Sequence, residues 1–135
     1  MIKILTNIAL VSVLLVGCNG DSRVNEIGIA GDIESIEVKQ LKSDKESYMI
    51  DAQESLNEFQ EVFDDTEKMD GIVDIAEPIY SLNITYANEE TETVFLWVIE
   101  PNKRSSLMKG DDTHTLYTVS EEMTNILIDL VVSKF

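Results

Sequence analysis

Cys18 is the only cysteine in the 135-residue chain, and it closes the stretch Leu15-Val16-Gly17-Cys18. Its thiol is a sulfur nucleophile, and the chemistry it offers at this place is a thioether to diacylglycerol. Gly17, immediately before Cys18, is small. Once the sulfur is alkylated, no thiol remains for a disulfide, a catalytic nucleophile or a thiolate metal site.

The other groups capable of chemistry form no constellation. His114 is the only histidine; without a cysteine partner, and beside the acidic loop Gly110-Asp111-Asp112, it reads as a surface or rim residue. Asp111 and Asp112 offer oxygens to calcium, but the loop lacks EF-hand spacing and reads as a turn. No serine stands in a Gly-x-Ser-x-Gly elbow. Glu54, Glu58, Glu61, Asp64 and Asp65 run along one segment without a histidine, the pattern of a solvated helix face. The expectation is a protein that is not an enzyme and needs no cofactor or metal.

The elements around Cys18 explain its setting. Met1 to Asn7 carry one charge, Lys3, and Ile8 to Val16 are uncharged and apolar. This run is shorter than the roughly 20 residues of a membrane-spanning helix. The order of charge, apolar run and small residue is that of a secretory signal. With its lipobox, the segment resembles the signal of bacterial lipoprotein precursors. The resemblance implies a signal peptide over 1–17, cleavage between Gly17 and Cys18, and acyl chains such as palmitate on Cys18. It places the protein on the extracytoplasmic face of the cell membrane. Two chains, at about 0.8 kcal/mol per CH₂, anchor a protein stably where one does not.

The formal charge is −16. Loss of residues 1–17 removes one lysine and no acid, so the charge becomes one unit more negative. Such a surface repels nucleic acid and excludes it as a partner; it also repels anionic headgroups, so the lipid alone must hold the protein to the membrane.

Residues 18–32 read as the lipidated cysteine and a tether, with three glycines after Asn19 and little periodicity. Within it, Ile27, Ile29 and Ala30 suit a short edge strand docked on the domain. Residues 33–135 are long enough for one domain and too short for two. Ile33 to Leu41 alternates as a half-buried strand, and Ser47 to Ile50 suits a short pairing strand. Asp51 with Glu54 opens a helix whose stripe is Ala52, Leu56, Phe59 and Phe63, and Asp70-Gly71 ends it. Gly71 to Pro78 is a connector. Tyr80 to Tyr86, Thr91 to Glu100, Ser105 to Lys109 and His114 to Val119 follow as strands. Ser120 caps a last helix with Met123, Ile126, Leu127, Leu130 and Val131 inward. The fold expected is α+β: an antiparallel sheet of about four to six strands with two helices on one face.

An even-numbered loop over 87–90 would pair Tyr86 with Thr91, Leu82 with Phe95 and Tyr80 with Trp97. Phe95, Trp97 and Ile99 would then lie under the helices. Val94, Leu96 and Val98 would emerge on the opposite face as the candidate partner surface. One residue more or less in the loop exchanges the two sets.

The lipobox, the tether, Gly71-Ile72-Val73-Asp74, Pro78-x-Tyr80, Leu82-x-Ile84-x-Tyr86, Leu96-Trp97 and Thr115-x-Tyr117-Thr118-Val119 together resemble the YhfM-like lipoproteins of Bacillus and its relatives. Ile79 departs from the acid often found there in that family. The resemblance covers nearly all of residues 18–135 and implies a Gram-positive cell envelope without an established activity. The function expected is a non-catalytic binding or accessory module, partnered with an envelope protein, peptide or glycan. An inhibitor or chaperone-like module that shields a secreted or envelope partner is the alternative.

Overall fold

The computed structural model describes residues 25–71, 75–98 and 100–135. Residues 1–24, which include the expected signal peptide, Gly17, Cys18 and the first part of the expected tether, lie outside the described residues, as do 72–74 and 99. Among those described, seven strands form one antiparallel sheet and two α-helices pack on one of its faces. The strands are β1 (Ile33–Gln40), β2 (Tyr48–Ile50), β3 (Glu67–Lys68), β4 (Tyr80–Tyr86), β5 (Thr91–Trp97), β6 (Ser105–Lys109) and β7 (Tyr117–Val119). Their order is β2-β1-β4-β5-β6-β7-β3. The α+β class holds, with a sheet slightly wider than expected.

Helix α1 (Gln53–Asp64) joins the two edges of this sheet. A flat seven-stranded sheet is about 29 Å wide, and 12 helical residues span about 18 Å. The few residues on either side supply the remaining reach. Leu56, Phe59, Val62 and Phe63 form its buried face. The helix starts one residue later than its acid suggests: Ala52 is the N-cap and makes no side-chain bond. It stops well before Gly71 because the buried Thr66 hydroxyl donates to the Phe63 carbonyl at 2.7 Å. The chain then straightens into β3, which pairs with β7.

Helix α2 (Glu121–Leu130) begins as its sequence demands. Ser120 Oγ accepts from the Met123 N–H at 3.2 Å, and Glu121 and Glu122 occupy the positive end of the helix dipole. A 3₁₀ turn, Val132–Lys134, follows. Phe135 then packs against the rings of Tyr48 and Tyr80.

Between helices and sheet lie Ile36 and Val38 of β1, Leu82 and Ile84 of β4, Leu107 of β6 and Val119 of β7. Of residues 25–32, Asn25, Ile27 and Ile29 dock on this body, as expected for part of the segment. Ile27 and Ile29 are fully buried in the same core. They dock as an irregular strap rather than a strand, and Ala30 points to solvent. Asn25 folds the strap: Oδ1 accepts from the Ile29 N–H at 2.8 Å, and Nδ2 donates to the Ile29 carbonyl and to Asp64. Gly28 carries φ +76° in this turn, a conformation that a side chain opposes.

Candidate functional site

The loop between β4 and β5 decides which side chains are available. Thr85 pairs with Thr91, Leu82 with Val94 and Tyr80 with Leu96. Tyr86 and Glu90 close the hairpin, with the Tyr86 N–H donating to the Glu90 carbonyl at 2.9 Å. The loop is therefore the odd-numbered Ala87-Asn88-Glu89, and Glu89 sits at φ +72°. A three-residue hairpin requires a left-handed residue at its end. The sequence offers no glycine there, which hid the turn.

This register exchanges the two faces. Val94, Leu96 and Val98 are buried in the core beneath the helices. The candidate surface built on them is corrected: these three pack inward, and Phe95 and Trp97 take the opposite face. Phe95 pairs with Ser81 on one side and with Met108 on the other. Phe95 and Met108 are half-buried there. Trp97 and Leu116 are buried but stand apart from the main core. Trp97 Nε1–H donates to the Ala76 carbonyl at 2.7 Å, which ties the connector to this face.

The same face has a polar half. Thr93 Oγ1 donates to Asn83 Oδ1 at 2.7 Å, and Asn83 Nδ2 donates to Glu37 at 3.4 Å. A row of hydrogen-bonded side chains thus crosses three strands beside the Phe95–Met108 pair.

On the helix face, at the strap end of the sheet, lies a second cluster. Glu92 accepts from Lys109 Nζ at 2.7 Å and from the Tyr86 hydroxyl at 2.8 Å. The side chains of Lys109 and Glu92 keep only 20% and 18% of their exposure. The bond to Glu92 raises the Lys109 pKa above its ordinary 10.5. Burial first, and then the bond to Glu92, push the Tyr86 phenol above its ordinary 10.0. Gly28, Gly31 and Asp32 of the strap border this cluster through a shallow hollow that Tyr86 and Glu92 share. Tyr86 and Lys109 thus both donate to the one carboxylate of Glu92, which ties β4, β5 and β6 together at this end of the sheet. The sequence shows no sign of it, because Tyr86, Glu92 and Lys109 meet only once the register is known.

His114 is exposed, and its backbone N–H donates to Asp112 at 3.3 Å, as a turn requires. Bonds from Thr115 and this N–H hold the Asp112 carboxyl below its ordinary value. Among the described residues, no three His, Cys, Asp or Glu side chains are placed to hold a metal ion.

Residues 30–135 match the family model described as YhfM protein. The chain belongs to the YhfM family. The match spans the whole helix-and-sheet body and begins just after Ile29. No curated protein matches the chain. Among solved structures, a crystal structure of a thioesterase-like protein from Clostridium sporogenes is similar, with a TM-score of 0.52 and 17% identity. The similarity covers 73% of this chain and 93% of that one, and it establishes a shared fold.

Proposed function

We propose that this YhfM-family chain is a lipid-anchored, non-catalytic module at the outer face of the cytoplasmic membrane, which binds an envelope protein or peptide through the open face of its sheet. The observation that carries the reading is the pairing of half-buried Phe95 and Met108 beside the bonded row Glu37–Asn83–Thr93. The lipobox at Leu15 to Cys18 supports the address. A photo-crosslinking residue at Phe95 should capture one defined envelope component in living cells, and the same residue at the exposed Glu54 should not. Phe95→Asp should weaken that capture while the fold remains cooperative. Equal capture from both positions would remove the assignment of this face. A membrane complex among the products supports the accessory role, and a hydrolase supports an inhibitor.

A second reading is favoured by the fold shared with the thioesterase-like protein: hydrolysis of a thioester, with Glu92 the half-buried carboxylate available. Its bonds to Lys109 and Tyr86 favour a structural role. Thioester hydrolysis by the purified chain, lost in Glu92→Gln while the fold is kept, would establish the enzyme instead.

A further inference from the structure

The strap fixes more than the core. Its path is antiparallel to α1: Asn25 bonds Asp64, the Ile29 carbonyl accepts from Gln60, and Asp32 and Ile33 lie beside Gln53 and Asn57. Glu26 accepts a hydrogen bond from the backbone N–H of Lys68 in β3. The chain therefore enters the domain at the C-terminal end of α1, at the β3 edge.

We infer that the lipidated protein sits on the bilayer with the C-terminal end of α1 and the β3 edge towards the lipid, and the N-terminal end of α1 and the β2 edge away from it. The inference rests on lipidation of Cys18. Only residues 18–24 separate that sulfur from Asn25, and seven residues reach at most about 25 Å even when fully extended. A domain of this length has a radius of gyration of about 13 Å, so the entry point cannot lie on its far side. From Asp64 back to Gln53 the helix rises about 16 Å. The lower end carries Glu26, Asp64, Asp65 and Glu67 with Lys68 as its counter-charge. Anionic headgroups repel this set, so it is the short lead and not charge that keeps this end nearest the lipid.

The test uses the full lipidated chain, whose native thiol is consumed, so one added cysteine carries one dye. Lys68→Cys and Gln53→Cys place the dye at exposed positions near the two ends of α1. In phosphatidylcholine vesicles with a headgroup energy acceptor, transfer from position 68 should exceed that from position 53 by at least about threefold, given the offset of ~16 Å. The pair Asp70→Cys and Glu46→Cys should give the same order, which protects the result against one misfolded variant. A long Gly-Ser insert between residues 24 and 25 should erase the difference. Equal or reversed transfer in protein whose mass includes the lipid overturns the orientation and leaves the anchoring intact. A chain that carries no lipid and stays soluble overturns both.

Discussion

Ile29→Ala tests the claim that the strap is core and not tether. Ile29 and Ile27 are fully buried, and Asn25, itself buried, holds the turn between them and α1. Truncating a buried isoleucine removes its transfer free energy and leaves a cavity, together about 2–5 kcal/mol. Asn25→Ala strands the Ile29 N–H and carbonyl near the core, at about 1–3 kcal/mol. The lower half of the isoleucine range suits Ile29→Ala, because an irregular segment anchored on one side can partly collapse into the space. At about 3 kcal/mol, and roughly 4 °C per kcal/mol for a domain of this size, the midpoint should fall by about 12 °C. The assay is thermal and urea unfolding of residues 19–135, followed by circular dichroism, with exposed Ala30→Ser as control, expected within about 0.5 kcal/mol of the parent. Residues 33–135 alone should be less stable than either variant. If Ile29→Ala lies within 1 kcal/mol of the parent, or the 33–135 piece melts with it, the strap is a tether after all and the burial argument fails.

Cys18→Ala should leave an uncleaved or soluble precursor and abolish partitioning into detergent; a variant that still partitions with the processed mass would refute lipidation. Glu89→Gly should raise stability by about 0.5–1 kcal/mol, because the left-handed residue loses its side-chain penalty of about 1–2 kcal/mol and gives back part as chain entropy. Glu89→Val, β-branched at the same angle, should lower it, and unfolding in urea compares the two. All four tyrosines, Tyr48, Tyr80, Tyr86 and Tyr117, are pushed above 10.0, burial being the first cause in each. A phenol whose folded pKa is raised favours folding below the unfolded value and loses that contribution as pH rises above it. Lys109, also raised, holds its charge and its contribution until pH passes 10.5 and higher. Stability should therefore be flat through neutral pH and fall above about pH 10, with tyrosine absorbance changing as the fold is lost. Phenols that titrate near 10 in a still-folded protein would contradict it.

The sequence made much of the fold legible because the local signals agree with the tertiary ones. The alternation of Tyr80 to Tyr86 marks one face on each side of β4, and the Ser120 cap with its two acids starts α2 where it begins. The face of β5 was not legible, since Val94 to Val98 are apolar on both sides and only the loop sets their direction. That loop uses Glu89 where a glycine would announce the turn, and the surrounding sheet overrides the residue's preference. The strap was partly visible in Ile27 and Ile29, but glycines and polar residues around them imitate a linker. The two residues of β3 pair only because β7 is there to receive them, and no window of sequence contains both. The Glu37–Asn83–Thr93 row needs three strands in register before it exists.

The pairing of β3 with β7 also orders events in time. Glu67 and Thr118 stand 51 residues apart, with the whole β4-to-β7 meander between them. The meander closes through neighbouring hairpins, whereas β3 cannot be laid down until β7 has been placed. Until then β7 presents an unpaired edge, which is a template for other extended chains. Joining so distant a pair is slow compared with a hairpin. Glu26 then occupies the Lys68 N–H on the far side of β3. The first residues of the domain to be synthesised are thus the ones that blunt its last-formed edge, and a chain trapped before that step leaves the β7 edge open to pairing with another chain.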